Sequence, residues 1–250
     1  MKLGASAADA AAQLRGVELL PAEAAAARER LVPILGSAAG DVVASGDFFD
    51  WWARRGERRF TTVVGNPPFI RYQSFPEPAR GRAMTIMEGL GLRPNKLTNI
   101  WVPFVVAAAE MVRAGGRIAL VIPAELLQVT YAAQLRAFLA ERFAHLNVVT
   151  CNELFFDGAE QEVVLLLAEG ALPARILGNA CRVAMTETET MGDLLGSDAA
   201  DLLAEAEAKD VRGDREKWLK YFLTSSEIGL MRTLRAHPRI VNLPHLIHRM

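Results

Sequence analysis

The order of apolar segments along the chain constrains its fold more than any other feature. Short β-branched and apolar runs alternate with segments of helical composition over residues 1–170, and residues 163–167 are apolar without a break. Strands that alternate with helices form βαβ units, and a strand that is apolar throughout is buried on both faces. The sequence therefore predicts an α/β domain over residues 1–170, with a mainly parallel sheet that is covered on both faces.

Local composition predicts the individual elements of this domain. Alanine, the strongest helix former, is abundant in the first 40 residues, and Pro21 stands at a helix-start position. Helices are predicted over residues 7–15, 22–35, 100–112 and 124–143. Strands are predicted over residues 41–45, 60–64, 117–122, 146–151 and 162–168.

Residues 171–250 have a different composition. An acidic stretch of helical character covers residues 191–210, a second helix is expected near residues 225–235, and no closing strand is evident. The sequence therefore predicts a helical C-terminal extension over residues 171–250.

Charge is balanced overall but uneven along the chain. Lys and Arg number 28 against 29 Asp and Glu, a formal net charge of −1. Residues 51–100 carry nine bases against three acids, whereas residues 186–216 carry ten acids against three bases. One face is thus expected to attract a polyanion while another repels it.

Cysteine, histidine and hydropathy patterns exclude several classes of protein. Cys151 and Cys181 are too few for a disulfide framework and lack metal-ligand spacing, and the four histidines have no zinc pattern around them. No apolar run approaches the roughly 20 residues of a membrane span. We therefore expect a cytoplasmic protein that binds neither metal nor membrane.

The motif with the clearest chemical content is Gly65-Asn66-Pro67-Pro68-Phe69, which directly follows a predicted strand. Ligands of open α/β sheets bind at the carboxyl ends of strands. An Asn oxygen and a proline-fixed carbonyl can each accept a hydrogen bond from the exocyclic amine of adenine and direct its lone pair at a methyl donor. Phe69 can stack on a base taken out of the duplex. A plain turn with Phe69 in the core is the alternative.

Four segments in order resemble the adenine-specific DNA methyltransferases of restriction–modification and phage-defence systems. They are Gly-Val-Glu-Leu at 16–19, Gly-Asp-Phe-Phe at 46–49, Val-Gly-Asn-Pro-Pro-Phe-Ile-Arg-Tyr at 64–72 and Glu-Leu-Phe-Phe at 153–156. The resemblance covers residues 12–170 and, more faintly, 218–234; only the third segment is specific alone. It implies a Rossmann-like class I methyltransferase sheet, S-adenosylmethionine as cofactor and double-stranded DNA as partner.

The resemblance also assigns cofactor-binding roles. Glu18 would bind the ribose hydroxyls of S-adenosylmethionine, Asp47 and Phe48 would contact its adenine, and Asn66 would lie between the cofactor and the target amine. The alternative for Glu18 is an exposed acid at a strand end. For Asp47 the alternative is a helix cap.

Substrate roles follow in the same way. Asn66, Pro67, Pro68 and Phe69 would form the catalytic turn, with Phe69 stacked on the flipped adenine. Phe155 resembles the second aromatic residue of that sandwich, although Phe156 could serve or either could belong to the core. Four arginines after the turn are expected to contact DNA phosphates, namely Arg71, Arg80, Arg82 and Arg93.

The chain departs from the family at both ends. The family's first strand and its glycine-rich loop, which cradle the methionine end of the cofactor, have no counterpart, since Met1–Ser6 offers one glycine and no strand. Residues 1–170 would thus form a partial methyltransferase core, and residues 171–250 would lead toward an absent target-recognition domain. We expect the chain to be a fragment, a longer protein whose start was assigned too late, or one part of a split enzyme. The missing part would be an N-terminal segment, a recognition domain or a subunit.

Two other functions remain open at this point. Asn-Pro-Pro-aromatic turns also occur in methyltransferases that act on glutamine amides of translation release factors, because a planar amide nitrogen poses the same chemical problem. A non-catalytic remnant is the second alternative, and the missing glycine-rich loop supports it.

Overall fold

The computed structural model describes residues 6–57, 59–151, 153, 162–196, 206–211, 217–238 and 240. The helices are α1 (Ala7–Gln13), α2 (Pro21–Leu35), α3 (Phe48–Arg54), α4 (Ala79–Gly89), α5 (Trp101–Met111), α6 (Ala133–Arg142), α7 (Met191–Gly196) and α8 (Ser225–Ala236). The strands are β1 (Gly16–Glu18), β2 (Val43–Ser45), β3 (Phe60–Gly65), β4 (Val112–Pro123), β5 (Phe143–Cys151), β6 (Val163–Ala171), β7 (Cys181–Thr188) and β8 (Lys209–Val211). Short 3-10 helices cover Gly36–Asp41, Tyr72–Ser74, Ala124–Leu127 and Trp218–Phe222.

Local signals in the sequence explain where several helices begin and end. The Ser6 hydroxyl accepts a hydrogen bond from the Asp9 N–H and caps α1, and Pro21 is the first residue of α2. Thr224 and Glu227 form a reciprocal capping box at the start of α8. Gly36 ends α2 with a φ of 60°, a conformation that favours glycine. These elements were accessible to sequence reasoning because their signals are local.

The strands form two sheets. β1 and β2 pair in parallel as a two-stranded sheet, with Glu18 opposite Ser45. The other strands form a six-stranded sheet in the order β3-β4-β6-β5-β7-β8. Its β3–β4 and β5–β7 pairs are parallel, whereas β6 is antiparallel to β4 and β5, and β8 is antiparallel to β7. Because β6 is antiparallel to both of its neighbours, β4 and β5 run in the same direction.

The sheet departs from two expectations. It is mixed rather than mainly parallel, since β6 inserts antiparallel between β4 and β5. It also continues beyond residue 170, because β7 and β8 lie where only helices were predicted. β7 contains the apolar run Val183–Met185 and pairs with β5 from Arg182 to Thr188. Its pairing partner is distant in sequence, so the strand could not be assigned from local pattern alone.

The helix predicted over residues 124–143 is divided into a 3-10 turn and α6. The buried Arg136 explains the division, because its Nη1 donates to the carbonyl oxygens of Leu126 at 2.8 Å and Val129 at 3.1 Å. The Leu126 carbonyl lies within the 3-10 turn, and the Val129 carbonyl lies between this turn and α6. A buried guanidinium thus satisfies the backbone at this break.

The main core lies between the six-stranded sheet and helices α5 and α6. Trp101, Phe138, Val148 and Leu166 are among its fully buried residues. α5 is apolar on nearly all sides, and almost every residue of this helix is buried, as expected for a helix inside the core. No helix among the described residues is long and apolar enough to cross a membrane.

Strands β1 and β3 each have one edge that pairs with no other described strand. Within the described residues, β3 pairs only with β4, and β1 pairs only with β2. Val64 of β3 is 72% exposed, although strands of parallel sheets are normally covered on both faces. No strand precedes β1 within the described residues, so no described strand pairs with the second edge of β1 or of β3.

Candidate functional site

The Asn-Pro-Pro turn lies at the carboxyl end of β3. Because β3 and β4 are parallel and adjacent, this turn and the 3-10 helix that follows β4 lie at the same edge of the sheet. Asn66 and Pro68 are exposed, whereas Pro67 is buried. The buried proline anchors the turn, and the Asn66 side chain is left accessible for a ligand.

Phe69 has a divided environment. It is half-buried and packs against the main core cluster. One part of the ring therefore belongs to the core. The other part is exposed and leaves a surface on which a base could stack.

The segment after the turn is held by two hydrogen bonds to backbone carbonyls. The Ile100 N–H donates to the Ile70 carbonyl at 2.9 Å, and the Gln73 side chain donates to the Lys96 carbonyl at 3.3 Å. Ile70 and Phe48 also pack against the same small cluster of buried residues, which includes Ile100. The tertiary structure thus brings the segment after the Asn-Pro-Pro turn near Phe48, a residue predicted to bind the cofactor.

Glu18 and Asp47 are neighbours at the ends of β1 and β2. The Gly46 N–H donates to the Glu18 carbonyl at 2.9 Å, and Gly46 has a φ of 139°. The Glu18 carboxylate accepts a hydrogen bond from the Leu20 N–H at 3.0 Å. This bond orients a half-buried carboxylate that has further lone pairs for a ligand.

Asp47 acts as the helix cap that the sequence analysis considered. Its Oδ1 accepts from the Asp50 N–H at 2.8 Å and from Arg82 Nη2 at 3.1 Å and Nε at 3.3 Å. These three contacts all use Oδ1, and a carboxylate has a second oxygen that can accept a hydrogen bond. Capping α3 is therefore compatible with binding a ligand amino group.

Phe48 belongs to an aromatic group rather than standing alone. Its ring stacks on Phe104 of α5 with centroids 4.8 Å apart and contacts Phe49 edge-on at 5.3 Å. Phe48 is half-buried, so one part of the ring is supported and another is accessible. A supported ring of this kind is suited to pack against a planar group.

The four arginines assigned to DNA have different environments. Arg82 pairs with Asp47, and Arg80 pairs with Glu77 at 2.9 Å while lying over the Tyr72 ring. Arg71 and Arg93 are exposed. The two exposed guanidiniums are the more accessible for phosphate.

A polar group that sequence reasoning missed lies at the carboxyl end of β4. The Tyr131 hydroxyl donates to the Glu125 carboxylate and accepts from Asn99 Nδ2 at 3.0 Å and Trp101 Nε1 at 3.3 Å. Burial and the adjacent carboxylate raise the pKa of Tyr131 above its usual range, so the hydroxyl stays protonated. These residues are far apart in sequence and have no periodic pattern, which is why they gave no signal.

An open cleft adjoins this polar group. Its volume is about 420 Å³. The lining residues are Asn95, Leu97, Thr130, Tyr131, Ala133 and Gln134. Gln134 exchanges two hydrogen bonds with the Arg93 backbone and thereby holds the loop before α5 against α6.

Phe155 and Phe156 lie outside the described residues, so the second aromatic residue of the sandwich stays a prediction. β5 ends at Cys151 and β6 begins at Val163. Because β4 and β5 run in the same direction, the connection between β5 and β6 starts at the edge that bears the Asn66 turn. No group of three or more potential metal ligands occurs among the residues that the structure describes.

Comparison with solved structures defines the class of fold. The structure of the DrdV–DNA complex matches with a TM-score of 0.62 and 13% identity over 85% of this chain and 25% of that one. A protein from Listeria monocytogenes described among the class I S-adenosylmethionine-dependent methyltransferases matches with a TM-score of 0.51 and 13% identity, over 76% of this chain and 53% of that one. The fold is therefore that of the class I methyltransferases.

Sequence comparison defines the family. Residues 26–155, just over half of the chain, match the Eco57I restriction-modification methylase family, and the chain belongs to it. The type II methyltransferase M.PaeR7I of Pseudomonas aeruginosa is 27% identical over 190 residues, which cover 71% of this chain. The aligned region is 31% of M.PaeR7I, so the chain spans about a third of this curated relative.

Proposed function

We propose that this chain is the catalytic part of an adenine-specific DNA methyltransferase of a restriction–modification or phage-defence system. The observation that carries the proposal is the exposed Asn66 side chain on a turn anchored by the buried Pro67, at the carboxyl end of β3. Membership of a restriction-modification methylase family supports it. The reaction is direct methylation of the adenine N6 amine in the cytoplasm, without a covalent enzyme intermediate.

The chain's own residues fit the cofactor S-adenosylmethionine. Glu18 supplies a carboxylate for two ribose hydroxyls, and the free oxygen of Asp47 can accept from the adenine amino group. Phe48, supported by Phe104, packs against the adenine ring. When bound, the cofactor supplies an electrophilic methyl group next to the turn.

The turn acts on the target amine. The Asn66 side-chain oxygen and the Pro67 carbonyl each accept one N–H of the flipped adenine, which makes the nitrogen lone pair available toward the methyl group. The sulfonium of the cofactor would supply the methyl group and leave as the neutral thioether, and water would accept the proton that the amine loses. Phe69, and Phe155 as its predicted counterpart, hold the base between aromatic faces.

DNA and further polypeptide are the proposed partners. The relative DrdV was solved as a DNA complex, and the exposed Arg71 and Arg93 follow the turn in sequence. The unpaired edges of β1 and β3, with the exposed Val64, suit an additional strand. We propose that polypeptide outside these 250 residues completes the sheet, because the chain spans about a third of M.PaeR7I.

The test is a methyl-transfer assay with labelled S-adenosylmethionine, preceded by calorimetric titration of the cofactor. We expect micromolar binding and incorporation into DNA as N6-methyladenine, measured by nucleoside mass spectrometry. A release-factor peptide that contains the glutamine side chain serves as the competing substrate. Methylation of the peptide alone would support the glutamine-directed alternative. A folded chain that binds no cofactor would support a non-catalytic remnant or one part of a split enzyme.

A further inference from the structure

We infer that Asn99, Glu125 and Tyr131 form a positioning cluster for the segment that follows the catalytic turn. They act through the Ile100 N–H, which donates to the Ile70 carbonyl at 2.9 Å. The kinetic consequence of this inference rests on the proposed function. The structural consequence does not, because the hydrogen bond exists whatever the substrate is.

The hydroxyl of Tyr131 is the centre of the positioning cluster. It donates to Glu125 and accepts from Asn99 Nδ2 at 3.0 Å and from Trp101 Nε1 at 3.3 Å. A phenolic hydroxyl has one donor and two acceptor sites, so these three contacts use its full capacity. A saturated hydroxyl defines the orientation of all three partners.

Asn99 is tied to the cluster by two bonds. Its Nδ2 donates to Glu125 Oε2 at 3.3 Å as well as to Tyr131. Glu125 lies on the 3-10 helix at the carboxyl end of β4, and Tyr131 precedes α6. The side chain of Asn99, on the loop before α5, is therefore held by the segment that connects β4 to α6.

The position of Asn99 is transmitted to the turn through its neighbour in sequence. Ile100 is fully buried, and its N–H bonds to Ile70, four residues after Asn66. A shift of Asn99 would move the Ile100 amide and loosen this bond. Rigid placement of a catalytic group within fractions of an ångström is what preorganisation requires.

The rest of the loop is stabilised independently. The Asn95 side chain accepts from the Leu97 N–H at 2.8 Å, and the Asn95 N–H donates to the Thr98 hydroxyl at 3.0 Å. Loss of the cluster should thus release residues 99–100 and 70 locally without unfolding the whole loop.

The test combines hydrogen exchange with steady-state kinetics on Tyr131→Phe, which keeps the ring and removes only the hydroxyl. We expect exchange of the Ile100 amide to accelerate about tenfold, the effect of losing one hydrogen bond. We expect kcat to fall about tenfold or more, with KM for DNA and cofactor within about twofold.

Three further variants sharpen the result. Glu125→Gln keeps an acceptor for Tyr131 and should retain more activity and more protection of Ile100 than Glu125→Ala. Thr130→Ala is the matched control, since Thr130 lines the same cleft without a bond to the positioning cluster. It should leave both readouts unchanged.

The outcomes separate the inference from the proposed function. Unchanged exchange at Ile100 in Tyr131→Phe overturns the inference, and a fall in kcat without it would indicate direct contact of Tyr131 with substrate. Faster exchange throughout the chain would show a general stabilising role and would also overturn it. If the unmodified chain methylates nothing even together with the polypeptide that completes its sheet, the proposed function fails, while the exchange experiment still decides the inference.

Discussion

Asp47 at the start of α3 and Arg82 of α4 form an ion pair, with Oδ1 and Nη2 3.1 Å apart. This contact joins two residues that the sequence analysis assigned to different partners, the cofactor and the DNA backbone. It indicates that Arg82 orients the carboxylate of Asp47. α3 and α4 are connected by this pair close to the Phe48 ring.

Replacing Arg82 with Ala tests this relationship. Because one charge-assisted contact to Asp47 is lost, we expect affinity for S-adenosylmethionine to weaken roughly fivefold, measured by calorimetry. The salt dependence of DNA binding should stay the same.

Arg71→Ala is the matched control for Arg82→Ala. As an exposed candidate for phosphate contact, Arg71 should affect DNA rather than cofactor, and its removal should reduce the slope of log affinity against log salt by about one. A reduced salt slope in Arg82→Ala, with unchanged cofactor affinity, would assign Arg82 to DNA instead.

Asn66→Ala should abolish most activity while leaving the fold intact. The side chain is exposed, so its loss removes no packing, and the melting temperature should not change. We expect the rate of methyl transfer to fall about 100-fold or more, as for other groups that bind the reacting atom.

A matched amide variant controls for this result. Gln13→Ala removes an exposed amide from the end of α1 and should retain full activity. Near-normal methyl transfer by Asn66→Ala would contradict the mechanism.

The core of the sheet should tolerate truncation poorly. Leu166 in β6 is fully buried between β4 and β5, and Leu166→Ala should lower the free energy of unfolding by about 2–5 kcal/mol. Leu177→Ala is the same substitution at a residue that is 84% exposed and should have little effect. Urea denaturation of both variants measures the difference, and equal effects would contradict the packing of β6.

The two cysteines should differ in reactivity. Burial raises the pKa of Cys181 to about 12, whereas Cys151 is half-buried at the end of β5. Since the thiolate is the reactive form, iodoacetamide at pH 8 should modify Cys151 and spare Cys181 until the protein unfolds. Peptide mass spectrometry with and without denaturant checks this, and rapid labelling of Cys181 in the native protein would contradict its burial.

The same raised pKa predicts how stability depends on pH. The folded state binds the Cys181 proton more tightly than the unfolded state, whose cysteine pKa is about 8.5. The contribution is fully present below that value and is lost as the pH rises toward 12. Urea midpoints measured from pH 7 to pH 10 should fall, and Cys181→Ser should reduce the dependence.

Local patterns were sufficient for most helices and strands of the first 170 residues. Composition placed α1 and α2, and β-branched runs placed β3 and β5, to within a few residues. The Asn66 turn could be located from the sequence because two consecutive prolines cannot continue a strand and therefore mark its end. The segment that contains this turn, residues 64–72, carried most of the family resemblance. The match over residues 26–155 confirms the family.

Long-range contacts gave no comparable signal. The position of β6 between β4 and β5 and the pairing of β7 with β5 depend on partners distant in sequence. The same holds for Asp47 with Arg82 and for Asn99 with Tyr131.

Residue order along the chain was therefore enough to predict the α/β class, the Asn-Pro-Pro turn and the family, because dihedral preference, capping and strand termination act between near neighbours. The strand order, the orientation of Asp47 and the cluster around Tyr131 were set by the assembled fold. Side chains from separate elements meet there only after the core has packed, and their hydrogen bonds gain strength from that burial.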